Sequence, residues 1–107
     1  MQQTHFTIQQ ITGPDAEILL AEDPTATIAD VRAPDEYAKE HVSGAISLPV
    51  NTIEQEAPSA LPDKTCAVIV YCRSGRRAAL AAEKLDALGY IRILNLGAMT
   101  NWTGPTQ

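Results

Sequence analysis

Cys72 is followed directly by Arg73-Ser74-Gly75-Arg76-Arg77, so one thiol has three guanidinium groups within the next five positions. The apolar run Ala67-Val68-Ile69-Val70-Tyr71 precedes it, and an Ala/Leu-rich stretch with helical spacing follows. This order places the sulfur where a strand ends and a helix begins. Neighbouring cations and the positive end of a helix favour the anionic form of a thiol. A thiolate facing backbone N–H donors is suited to nucleophilic chemistry on sulfur or on an oxyanion. Gly75 permits a tight turn because glycine tolerates positive φ. Ser74 supplies a hydroxyl that can donate to a substrate or cap the helix.

The surrounding pattern predicts the elements that hold this loop. An extended segment covers residues 4–8, and a turn at Gly13-Pro14 leads into a helix over 15–21 with Ile18 and Leu19 on its apolar side. Asp23-Pro24 breaks that helix. The β-branched run 27–31 reads as a buried strand. Pro34 suits a first helical turn, with Asp35 and Glu36 at its positive end, and this helix stops before His41. Residues 45–48 form a short strand, 52–57 a helical turn or two, and Pro58 and Pro62 bracket a loop. The strand at 66–71 is nearly all apolar, as a parallel strand covered on both faces would be. In the helix at 75–88, Ala78, Ala81, Ala82, Leu85 and Leu88 share a face, and Gly89 suits its C-terminal stop. A strand at 91–94 and a turn with a short closing helix at 97–102 complete the order. Strands alternating with helices indicate an α/β sheet with right-handed crossovers. Sites in such sheets lie at the carboxyl ends of strands, where both Cys72 and Arg32 fall.

Composition narrows the options. A chain of 107 residues has room for one domain, residues 1–107, with a modest core. A net charge of -5 disfavours nucleic acid as a partner, yet the arginines at 73, 76 and 77 make one cationic spot beside the cysteine. Neither a membrane-spanning apolar stretch nor the charge and apolar pattern of a signal peptide is present, and a cytoplasmic location is expected. The two cysteines, Cys66 and Cys72, are separated along one strand by about 20 Å at ~3.3 Å per residue, which is too far for a disulfide. Cys66 is expected to be a buried free thiol in a reducing compartment. His5 and His41 lack partners at ligand spacing, so no metal site is expected, and neither a glycine-rich nucleotide loop nor another cofactor motif is present.

Four motifs in sequence resemble the rhodanese family of sulfurtransferases. They are Asp30-Val31-Arg32-Ala33-Pro34-Asp35-Glu36-Tyr37, His41-Val42-Ser43-Gly44-Ala45-Ile46, the loop Tyr71 to Arg77, and Leu88-Gly89-Tyr90 with Leu96-Gly97 and Trp102. The named motifs run from Asp30 to Trp102, and the resemblance covers about residues 8–102. One departure is Gly97-Ala98 where the family often has two glycines; Ala98 costs little if its φ is negative. The resemblance implies a three-layer α/β/α fold around a central, mainly parallel five-stranded sheet. It also implies a thiosulfate sulfurtransferase, in which Cys72 takes the sulfane sulfur of thiosulfate or another persulfide donor and passes it to cyanide, a thiol or a protein acceptor. Arg73, Ser74, Gly75, Arg76 and Arg77 would bind the donor, with Arg32 facing the same pocket. The alternative is a sulfur-relay or partner-binding module with little thiosulfate turnover. Cys-dependent phosphatases and arsenate reductases of this fold resemble Cys-x5-Arg, which would require arginine at the position of Ala78.

Simpler roles stand beside these. Asp30 is expected to accept N–H bonds from its loop, and Arg32 to pair with Glu36 if it does not face the pocket. His41 is expected to hydrogen-bond or pack rather than catalyse, and Trp102 to pack. Arg76 and Arg77 cannot both enter a small pocket, so one is expected to be solvated or paired elsewhere.

Overall fold

A computed structural model describes residues 8–107. Five strands run as β1 (Ile8–Gln10), β2 (Thr27–Asp30), β3 (Ile46–Ser47), β4 (Val68–Cys72) and β5 (Ile93–Ala98). Four helices connect them: α1 (Gly13–Glu22), α2 (Pro34–Lys39), α3 (Ile53–Ala60) and α4 (Arg76–Ala87), with a single 3-10 turn at Met99–Asn101. The sheet order is β1-β5-β4-β2-β3 and every pairing is parallel. All five residues of β4 are buried, which is why that segment reads as an unbroken apolar run rather than an alternating one.

Two apolar layers cover the faces of the sheet. On one side, Ile53 and Ala57 of α3 and Ala78, Ala81, Ala82 and Leu85 of α4 pack against Ala29, Val68, Val70, Cys72 and Ile93. On the other, Ala16 of α1 and half-buried Tyr37 of α2 pack with Ile28, Ile69, Tyr71 and Leu96. The molecule is therefore the expected three-layer α/β/α arrangement. The small residues on α4 bring its backbone close to the sheet, and Gly89 closes the helix at φ 100°. There the amide of Gly89 donates to Asp86 O and that of Tyr90 to Leu85 O, a Schellman stop.

Several boundaries differ from the sequence expectation. The residues expected in the first strand before Ile8 lie outside the described residues. Ile18 is 53% exposed, because α1 packs through Ala16 with Leu19 and Leu20, and two residues beyond Ala16 the helix has turned about 200° away. Pro58 lies inside α3 rather than in a loop. It sits late in a short helix, where one lost N–H donor is tolerated. Cys66 precedes β4 and is half-buried, with its thiol and Thr65 donating to Asp63 and holding that carboxyl below its usual range. β5 starts at Ile93, leaving Ile91 exposed, and extends to Ala98, so the expected turn at 97 falls within the strand.

Candidate active site

β2 and β4 are neighbours in register, with Asp30 opposite Tyr71, so the segments leaving their carboxyl ends meet. Cys72 is the last residue of β4 and has no exposed surface. Residues 73–75 leave the strand and α4 begins at Arg76. Gly75 reaches φ 102°, a conformation that costs an L-residue about 1–2 kcal/mol. The turn aims two backbone donors at the sulfur: Gly75 N lies 3.0 Å and Ala78 N 3.3 Å from Cys72 Sγ. These are amides of the first turn of α4, the helix end with positive dipole potential. The sulfur thus has an environment suited to negative charge. Ala98, paired with Cys72 across the sheet, has φ -81°, so it takes the second glycine position without strain.

The arginines do not act as one group. Arg73 and Arg76 are exposed, and neither pairs with another described residue. Arg77 forms a fork with Glu36 of α2, with Nη1 2.7 Å from Oε1 and Nη2 3.2 Å from Oε2. The Arg77 guanidinium, aided by the Ala33 amide at 3.1 Å, draws the Glu36 carboxyl down to about 2. The pair therefore stays charged from neutral pH down to well below the ordinary carboxylate range. Ser74 is exposed, and its hydroxyl is not the cap that satisfies α4.

Arg32 is buried, and its partner is Asp30 rather than Glu36. Its Nη2 lies 2.6 Å from Asp30 Oδ2, its Nε 2.9 Å from Oδ1, and Nη2 also donates to Glu40 O at 2.6 Å. Asp30 accepts the Arg32 backbone amide as well, at 3.0 Å, and the Tyr71 hydroxyl at 2.7 Å. Burial and the Asp30 carboxylate push the Tyr71 phenol upward, so it remains a neutral donor. This network ties the carboxyl ends of β2 and β4 together. His41 stacks on Tyr37 with ring centroids 3.8 Å apart and bonds its carbonyl through Nδ1, a packing role.

Arg32 lines two clefts. One, of about 480 Å³, is mostly apolar and runs along Val31, Pro34, Val50, Arg77 and Leu80. The other, of about 520 Å³, is more polar and is walled by Arg73, Lys39, Trp102 and Thr106. Lys39, the Glu36–Arg77 pair and the segment 102–107 were not legible as site features, because each depends on contacts across long sequence separations. An acidic residue three positions after Ala33 signals only a helix start.

Fold and site define a class: parallel α/β proteins in which the loop after a sheet strand wraps backbone amides around a cysteine sulfur, with arginines outside. Within that class the chain belongs to the family of the rhodanese-like domain, whose model matches residues 15–104. It is similar to the thiosulfate sulfurtransferase PspE of Escherichia coli (strain K12), with 40% identity over 76 residues, 71% of this chain and 73% of that one. A sulfurtransferase of Allochromatium vinosum is 31% identical over 89% of this chain and 88% of its own. A solved structure described as a rhodanese with anions from E. coli superposes with a TM-score of 0.74 at 36% identity, covering 77% of this chain and 96% of that one.

Proposed function

We propose that the chain is a sulfurtransferase that carries sulfane sulfur on Cys72. The observation that carries this is the pair of amides, Gly75 N and Ala78 N, directed at Sγ. The Cys72 thiolate attacks the outer sulfur of thiosulfate, the S–S bond of the donor breaks, and sulfite leaves with the bonding electron pair. The product is a Cys72 persulfide anion. Cyanide or a thiolate acceptor then attacks the outer sulfur and regenerates the thiolate, giving thiocyanate or a new persulfide. Splitting the transfer in this way is covalent catalysis, and the amides stabilise the anion at each stage.

Cys72 has no exposed surface, so a donor reaches its sulfur through a local opening of the structure. Arg73 and Arg76, exposed and unpaired among the described residues, attract the donor and the departing sulfite. A solved structure of a relative is described as a rhodanese with anions, which supports an anionic donor. The spacing from Cys72 to the arginines and the two short amide contacts fit one sulfur atom more closely than a tetrahedral phosphate. Mass spectrometry after incubation with thiosulfate tests the proposal. The peptide containing Cys72 should gain ~32 Da, the mass of one sulfur in a covalent intermediate, and cyanide should remove it. Cys72→Ser should stay folded and show neither gain nor thiocyanate formation. An unmodified Cys72 in the wild-type chain, or turnover in the variant, would refute it.

A further inference from the structure

Glu36 and Arg77 are 41 positions apart and come from helices on opposite faces of the sheet. Their fork ties α2 to the first turn of α4, which follows the loop that holds Cys72. The carboxylate is fixed on its own side, since Oε1 also accepts the Ala33 amide that opens α2. On the other side, Arg77 immediately precedes Ala78, whose amide is one of the two donors to Sγ. A two-point clamp on residue 77 fixes the first turn of α4 and with it the direction of that N–H. The clamp also removes charge. With Arg77 neutralised by Glu36, an incoming dianion meets only Arg73 and Arg76 of the loop as unpaired cations.

We propose that Glu36 is a positioning and specificity-determining residue: through Arg77 it holds the Ala78 amide on the sulfur, and by cancelling the Arg77 charge it limits how tightly an anionic donor binds. This rests on the sulfur-transfer reaction proposed above. Neither role requires Glu36 to touch a substrate. The two roles pull the kinetic constants in ways that simple destabilisation does not. Tight donor binding alone lowers KM without accelerating the chemical step, whereas a misdirected amide slows that step.

The test uses the full chain, with thiosulfate as donor, cyanide as acceptor and thiocyanate as the readout. Wild-type turnover establishes the reaction itself; its absence would overturn the sulfur-transfer proposal and this one with it. Given wild-type turnover, Glu36→Gln should lower kcat by roughly tenfold or more. The same variant should lower the KM for thiosulfate by about threefold to tenfold, with a steeper dependence on ionic strength, because Arg77 now faces the donor as a free cation. Arg77→Gln leaves the carboxylate uncompensated and should also lower kcat, but it should raise KM. The opposite KM shifts with a shared loss of kcat are the expected signature, and either variant alone reads one half of it if the other does not fold. Constants within twofold of wild type, or a fall in kcat matched by the loss of folded protein with KM unchanged, would overturn the proposal.

Discussion

Cys72 depends on geometry that one neighbouring residue makes possible. Gly75 donates to Sγ at 3.0 Å only because the chain turns through φ 102° there. A methyl group added at Gly75 would meet Gly97 Cα at 3.7 Å and Ala98 N at 3.8 Å, ordinary contacts. The cost of Gly75→Ala is therefore conformational, about 1–2 kcal/mol. If the loop relaxes to avoid it, the amide leaves the sulfur. Gly75→Ala should shift urea unfolding by about 1–2 kcal/mol and reduce sulfur transfer per folded molecule by roughly tenfold or more; wild-type turnover in the folded variant would show that this amide is dispensable. The importance of Cys72 and Gly75 was legible because both signals are local: a nucleophile after an apolar run, then glycine before a helix. The roles of the arginines were not. The pairing of Arg32 with Glu36, the alternative to its facing the pocket, does not form: Arg32 precedes α2 and folds back onto Asp30, two residues earlier, where both groups are buried. Nothing in the spacing of the 73–77 loop could show that Arg77 is held by a carboxylate 41 positions away.

Between elements, the Tyr71 hydroxyl is the joint to test. It donates to Asp30 Oδ2 at 2.7 Å, joining β4 to β2, and accepts the Val42 amide at 3.0 Å, anchoring the segment that enters β3. Tyr71, Asp30 and Val42 all have no exposed surface. Tyr71→Phe preserves the ring but leaves the Val42 N–H buried without a partner, which costs about 1–3 kcal/mol. Equilibrium urea unfolding should show a loss of that size; a change below about 0.5 kcal/mol, under the usual contribution of one hydrogen bond, would mean that water or a shifted backbone replaces the hydroxyl. The strands themselves were readable from their apolar runs, and α4 from the face made by Ala78, Ala81, Ala82 and Leu85. Element ends were less so. β5 continues through Gly97 to Ala98 because β4 pairs with it there after a register shift at Val70/Tyr71, and a pairing partner is not visible in a single segment. A tyrosine at the end of an apolar run reads as core, and its hydroxyl carries no sequence signal for the two partners it joins.

At the scale of the molecule, the segment 102–107 returns to the site after β5 has ended. The backbones of His41 and Gln107 exchange two hydrogen bonds, at 2.9 and 2.8 Å, and Ser43 donates to Pro105 O at 3.1 Å. Thr106 bonds Glu40, Thr103 bonds Glu17, and Trp102 Nε1 reaches Pro105 O. This strap forms one wall of the cleft that Arg73 and Lys39 also line. Beyond Trp102 the sequence carries no periodic apolar pattern that would signal this strap. The magnitudes explain how such a segment can be ordered yet contribute little to stability. The Gly44 amide also donates to Gln107 Oε1 at 3.3 Å, and these seven hydrogen bonds provide about 4–10 kcal/mol at 0.5–1.5 each, while ordering five residues costs about 5–10 kcal/mol. The near balance means that deleting residues 103–107 should lower Tm by less than about 10 °C. The cleft would lose a low-dielectric wall that concentrates the field of Arg73 and Lys39 on an anion. The truncated chain should therefore keep its kcat for thiosulfate and cyanide while its KM for thiosulfate rises several-fold. Scanning calorimetry and steady-state kinetics on the same preparation check both parts. A fall in Tm of roughly 20 °C or more, several kcal/mol on this scale, would show that the strap belongs to the cooperative core. An unchanged KM would show that donors reach Cys72 by another route.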